Sequence, residues 1–111
     1  MAETFKSVTS AGIGTASTAI YTCPANTTTI VLGFLLANAS SPTANIIASS
    51  TLTKSGGSAC HVIKDVNIFA GASLSISGEN NKLVLETGDA LAVSSDTASS
   101  IDVTLSLLEI T

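Results

Sequence analysis

One histidine, two cysteines and eight carboxylates are the residues with which this chain could do chemistry. His61 directly follows Cys60. Neighbouring side chains on an extended segment point to opposite faces, so the two cannot form a local thiolate–imidazolium pair. His61 and Asp65 would stand about 13 Å apart along a strand, too far for a dyad. A nucleophile for His61 would therefore have to be Cys23, arriving from elsewhere in the fold. His61 is read as a structural histidine, and no catalytic residue is expected. There is no CxxC pair, so neither a zinc knuckle nor a thioredoxin-type redox pair can form. A single Cys23–Cys60 disulfide is open in principle. Without an export signal the expectation is two reduced, buried thiols.

The carboxylates are Glu3, Asp65, Glu79, Glu86, Asp89, Asp96, Asp102 and Glu109. Glu79, Asp89 and Asp96 fall in predicted turns, where acidic and amide side chains brace the backbone. No D-x-D-x-D-G loop offers calcium a site. A carboxylate pair could still meet across loops and cleave sugars. Sugar sites present stacking aromatics, however, and the chain has no Trp, one Tyr and three Phe. Phe5, Tyr21, Phe34 and Phe69 are also too sparse to stack single-stranded bases. Gly12-Ile13-Gly14 and Ser55-Gly56-Gly57 lack the strand–helix context of a phosphate loop and read as turns. Asn26-Thr27-Thr28 and Asn38-Ala39-Ser40 match the glycosylation sequon, which means nothing without export. No metal, cofactor or small-molecule substrate is expected, and the protein is not expected to be an enzyme.

The elements that carry these residues follow from composition and period. The chain has 111 residues, 45% of them hydrophobic and 11% charged, too apolar for disorder. Four Lys, no Arg and a net charge of −4 argue against a nucleic-acid partner, because phosphate contacts need clustered cations. The most apolar run, residues 30–39, is half the length of a membrane-spanning helix. The start, Met1-Ala2-Glu3-Thr4-Phe5-Lys6, has no apolar stretch of the kind a secretory signal needs. No segment has helical apolar spacing, and Gln and Arg are absent. Seventeen Ser and fifteen Thr instead accompany short Val-, Ile- and Leu-rich segments.

Turn clusters separate those segments at Cys23-Pro24-Ala25-Asn26, Ser40-Ser41-Pro42, Ser55-Gly56-Gly57, Ala70-Gly71, Gly78-Glu79-Asn80-Asn81, Gly88-Asp89 and Ser95-Asp96. Leu74 and Ile76 alternate with serines. Leu91 and Val93 alternate with small residues. Ile101, Val103, Leu105 and Leu107 alternate with Asp102, Thr104 and Ser106. Each such strand buries one face. The expectation is an all-β chain: a single antiparallel β-sandwich over residues 1–111, jelly-roll-like, with about eight strands. Residues 1–8 are expected as an edge strand or an arm.

Two segments do not fit a one-sided strand. Leu108 and Ile110 fall on the Asp102 face, which calls for a bulge near Leu107-Leu108 or for a partner over the strand's end. In residues 27–37, Ile30, Leu32, Phe34 and Leu36 alternate with Val31, Gly33, Leu35 and Ala37, so both faces are apolar. No strong acid or base lies between Lys6 and Lys54, which is unusual for an exposed surface. Val31, Gly33, Leu35, Leu108 and Ile110 are therefore the expected interface between copies of the chain.

The run Ile20-Tyr21-Thr22-Cys23-Pro24-Ala25-Asn26-Thr27-Thr28, followed by an apolar strand into Ala37-Asn38-Ala39-Ser40, resembles small virion proteins of tailed bacteriophages. In these a strand ends in Tyr-Thr-x-Pro-Ala-Gly-Thr and the next runs into an ANxS corner. Phe69-Ala70-Gly71-Ala72-Ser73-Leu74 and residues 82–91 also fit, so the resemblance extends from about residue 18 to the C-terminus. Asn26 stands where Gly is usual, and Cys23 where Val is commoner. The resemblance implies a structural protein, most like the capsid decoration or cement proteins, which are often trimers bridging capsomers. It also admits a neck, tail or fibre component. It implies a homo-oligomer, a homotrimer by this likeness, with the major capsid protein as partner. Glu3, Phe5 and Lys6 would help dock it on the capsid. The implied location is the virion, assembled in the host cytoplasm, with no nucleic-acid or membrane contact.

Overall fold

A computed structural model describes residues 2–77 and 82–111. The predicted turn at Gly78-Glu79-Asn80-Asn81 lies outside them. The other turn clusters fall between strands, with Ser95 as the last residue of its strand, and of the two glycine pairs only Ser55-Gly56-Gly57 does. Nine strands are present among the described residues: β1 (Glu3–Ile13), β2 (Thr18–Thr22), β3 (Thr28–Asn38), β4 (Ile46–Thr53), β5 (Ala59–Ile68), β6 (Ser73–Ser77), β7 (Leu83–Leu85), β8 (Ala90–Ser95) and β9 (Ile101–Ile110). No described residue is helical. One sheet has the order β1-β9-β3-β6, with β7 also on β3, and the other is β2-β8-β4-β5. The first strand pairs with the last, the second with the last but one, the third with β6 and β7, and the fourth with the fifth, all antiparallel. A long double ribbon rolled in this way is a jelly roll, and it places the two sheets face to face.

One core fills the space between the sheets. β9 supplies Ile101, Val103, Leu105 and Leu107, and β8 supplies Leu91 and Val93, as their alternation requires. Phe34, Leu36, Ile46 and Leu85 complete its centre. Along the strands that keep one phase the core takes one residue in two, and the other half of each such strand faces out.

β3 departs from simple alternation. Its pairing with β9 shifts between Val31 and Gly33, opposite Leu107 and Ser106. Leu32 is the extra residue, and the bulge it makes switches the core-facing set from Thr29 and Val31 to Phe34, Leu36 and Asn38. The bulge thus lies across from Leu107, on β3, while β9 itself runs unbroken against β1 from Val103 to Ile110. One expectation is corrected here. Val31 is fully buried and cannot be an interface residue, because the bulge returns it to the core.

β5 is likewise broken twice against β4. His61 opposes Thr51, Ile63 opposes Ser50 and Val66 opposes Ala48, so His61 does not share a face with Ile63. Asp65 takes φ 51° at the second break, and its backbone N–H donates to Ser49 Oγ at 3.0 Å. Gly12 (φ 68°) is a bulge inside β1 rather than a turn. Its N–H donates to Asp102 Oδ1 at 3.0 Å.

Candidate docking surface

His61 and the two cysteines are not brought together, whereas two of the carboxylates, Glu86 and Asp89, meet at one cleft. His61 is exposed on the edge strand β5. Both cysteines are free. Cys23 is buried and Cys60 is exposed, which corrects the expectation of two buried thiols. Cys23 Sγ donates to Thr27 O at 3.3 Å and lies 3.3 Å from Thr29 Oγ1. No group of His, Cys, Asp and Glu among the described residues could hold a metal ion. No described helix is long and apolar enough to cross a membrane.

A polar cleft of about 550 Å³ opens at one end of the sandwich, walled by Asn26, Thr28, Lys54, Glu86, Thr87 and Asp89. Its one ammonium is shared by its two carboxylates. Lys54 Nζ donates to Glu86 Oε1 at 2.7 Å and to Asp89 Oδ2. Asp89 also accepts the N–H groups of Ser55 at 3.0 Å and Glu86 at 2.9 Å. The Lys54 ammonium, first, and these N–H groups hold the Asp89 carboxyl below the usual carboxylate range. The cleft is a clasp between two turns.

The outer face of the sheet containing β1, β9 and β3 is different. Phe5 opposes Leu108, Leu108 opposes Ile30, and Ile30 opposes Val84. These four side chains form one row across β1, β9, β3 and β7. With strands about 4.8 Å apart, the row is about 14 Å long. Phe5 is 75% exposed and Val84 54%, while Ile30 and Leu108 are half-buried between them. Leu35, 44% exposed, and Ile110 lie on the same face. Gly33 adds a flat place beside Ser106; a Cβ there would meet the Ser106 side chain at 3.8 Å. Among the described strand positions, the charged residues facing this way are Glu3 and Asp102, near opposite ends of the sheet. With its charged strand residues confined to near the ends of the sheet, the face can contact another protein surface.

Most of the residues expected at an interface or at the capsid thus converge here: Gly33, Leu35, Leu108, Ile110, Glu3 and Phe5. Lys6 does not. It points to the opposite side of β1, 3.7 Å from Glu109. Ile30 and Val84 were missed. Ile30 was assigned to the Phe34 side because the bulge was not foreseen. Val84 was legible, since Leu83 and Leu85 inward leave it outward.

No family model and no curated protein matches the chain. A chain in the structure of infectious bursal disease virus, Gx strain, is similar in fold, with a TM-score of 0.55 and 12% sequence identity. The similarity covers 98% of the present chain and 33% of the viral one, so the present chain spans about a third of that chain's length.

Proposed function

We propose that this chain is a non-enzymatic structural protein of a virus particle, a head decoration protein that docks on the major capsid protein and bridges neighbouring capsomers. The observation that carries the reading is the apolar row Phe5–Leu108–Ile30–Val84 across the outer face, whose charged strand residues lie only near the ends of the sheet. An exposed row of this kind gains from burial against a second surface and has no other evident use. A fold shared with a chain from a virus structure and the resemblance to phage virion proteins support the same reading. Three copies per assembly is what that resemblance implies.

The test is the copy number of the chain relative to the major capsid protein in purified particles, by quantitative mass spectrometry. A ratio near one, or near a simple fraction of it, is the expected result. A handful of copies would move the protein to the neck, tail or a fibre. Its absence from every particle would end the virion reading.

A further inference from the structure

We infer that the open edge of β1 is a pairing site for the β1 edge of a second copy, joining two sheets about a two-fold axis at Phe5. In the β1–β9 ladder, Ala2 and Thr111 exchange both backbone hydrogen bonds, at 3.0 and 2.8 Å. The register then runs unbroken from Glu3↔Ile110 to Ser10↔Val103. In an antiparallel ladder bonded and non-bonded pairs alternate. Thr4, Lys6, Val8 and Ser10 therefore bond to β9, while Glu3, Phe5, Ser7 and Thr9 turn their N–H and C=O groups to the open edge. No described strand pairs with that edge.

Natural sheet edges are guarded by shortness, bulges or charges. β2 and β6 have five residues each and β7 three. β5 carries two register breaks, Lys64 and the left-handed Asp65. β1 has no such guard before Ser10. Its one lysine, Lys6, is drawn inward to Glu109 and does not cover the edge.

The occupant is a second copy because this edge is complementary to itself. Two β1 strands can meet antiparallel with outward-bonding residues paired. Centring the pair on Phe5 sets Phe5 against Phe5 and Glu3 against Ser7 of the second copy, with about six ladder bonds. Centring it one residue later adds about two bonds. It also sets Lys6 directly against Lys6, and like charges in that position are destabilising. The Phe5 centre instead gains an aromatic cross-strand pair. It also makes the two outer rows continuous: Val84, Ile30, Leu108 and Phe5 of one copy run into Phe5, Leu108, Ile30 and Val84 of the other. The pairing deepens the docking reading by doubling the docking row, but it needs no virus particle and is tested without one. Edge pairing covers less than the roughly 1,600 Å² of a standard interface, so the dimer should dissociate on dilution.

Sedimentation velocity of the purified chain, with Cys60→Ser to remove the exposed thiol, decides it. The expected result is a reversible shift from 11.1 kDa to twice that mass with concentration. Ser7→Pro removes an N–H that faces the open edge and none that β9 uses, and should abolish the dimer with the circular dichroism spectrum unchanged. In the Cys60→Ser background, Phe5→Cys should cross-link to itself on mild oxidation. A monomer at every concentration, a trimer, or a dimer that survives Ser7→Pro would overturn the inference. So would cross-linking of a Phe5→Cys and Ser7→Cys mixture without self-linking of Phe5→Cys. None of these outcomes bears on the copy number in particles.

Discussion

Asn38 shows how much of the sandwich hangs on single polar side chains at its corners. Its Nδ2 donates to the carbonyls of Ala44 at 2.7 Å, Ile68 at 3.0 Å and Phe69 at 3.2 Å. Its Oδ1 accepts from the N–H and hydroxyl of Ser40 at 3.0 and 2.7 Å. The Asn38-Ala39-Ser40 triplet is thus a brace for the turn into β4, which explains the pattern without glycosylation. Asn38→Ala leaves buried carbonyls unpaired and should cost about 2–4 kcal/mol in urea unfolding. Tyr21 plays a similar part between the sheets. Its hydroxyl donates to Glu109 Oε2 at 2.6 Å and lies 2.8 Å from Thr29 Oγ1. Burial, and then the bond to Glu109, push its pKa up to about 12. A raised phenol pKa favours the folded state fully below pH 10, and that contribution is lost as pH rises toward 12. Stability should fall by about 2–3 kcal/mol over that window, and Tyr21→Phe should flatten this part of the alkaline profile. An unchanged slope in Tyr21→Phe would refute the assignment. Neither role was legible in the sequence: both depend on partners up to 88 residues away, which spacing cannot show.

At the scale of elements, alternation was a reliable guide wherever a strand kept one phase. β8 and β9 bury the residues their pattern marks, because the sandwich covers one face of each sheet. β1 was harder to read, since only Val8 and Ile13 of its eleven residues turn a sizeable apolar side chain inward. β3 and β5 misled because a bulge leaves no fixed mark in composition. Leu32 is apolar like its neighbours, and only its register against β9 reveals it as the extra residue. The turns were easier, because their residues have local reasons to be there. Gly88 takes φ 87°, and a Cβ there would come within 2.8 Å of the Ser55 side chain. Gly88→Ala should therefore cost about 1–3 kcal/mol. The Asp89 clasp beside it ties the turn after β4 to the turn before β8. Its carboxyl is held below the ordinary range, so its contribution is present above the ordinary value and disappears as pH falls through the depressed one. Asp89→Asn should be less stable at pH 7 and show a shallower acid transition in a pH series of thermal melts. A transition as steep as in the unmodified protein would mean that other carboxylates control acid unfolding.

The whole molecule, 46 × 26 × 22 Å, has two faces of different character, and the difference separates folding from docking. Charge placed inside must be desolvated without a partner; charge placed on the outer row stays in water until a partner arrives. Residues of opposite orientation on β3 and β7 test this directly. Val31 is fully buried, so Val31→Lys should cost several kcal/mol and leave little folded protein. Leu35 and Val84 face solvent on the outer sheet, so Leu35→Lys and Val84→Lys should each change unfolding stability by less than about 0.5 kcal/mol. On the proposed docking, each of these lysines would be pressed against the capsid with its ammonium stripped of water. Rebinding to particles from which the protein has been removed should then weaken at least tenfold, about 1.4 kcal/mol or more, with the monomer still folded by circular dichroism. Two results would count against this division of labour. Full rebinding by both variants would mean that the capsid is met by another surface. Unfolding by either would mean that the outer row belongs to the core's own stability rather than to a contact.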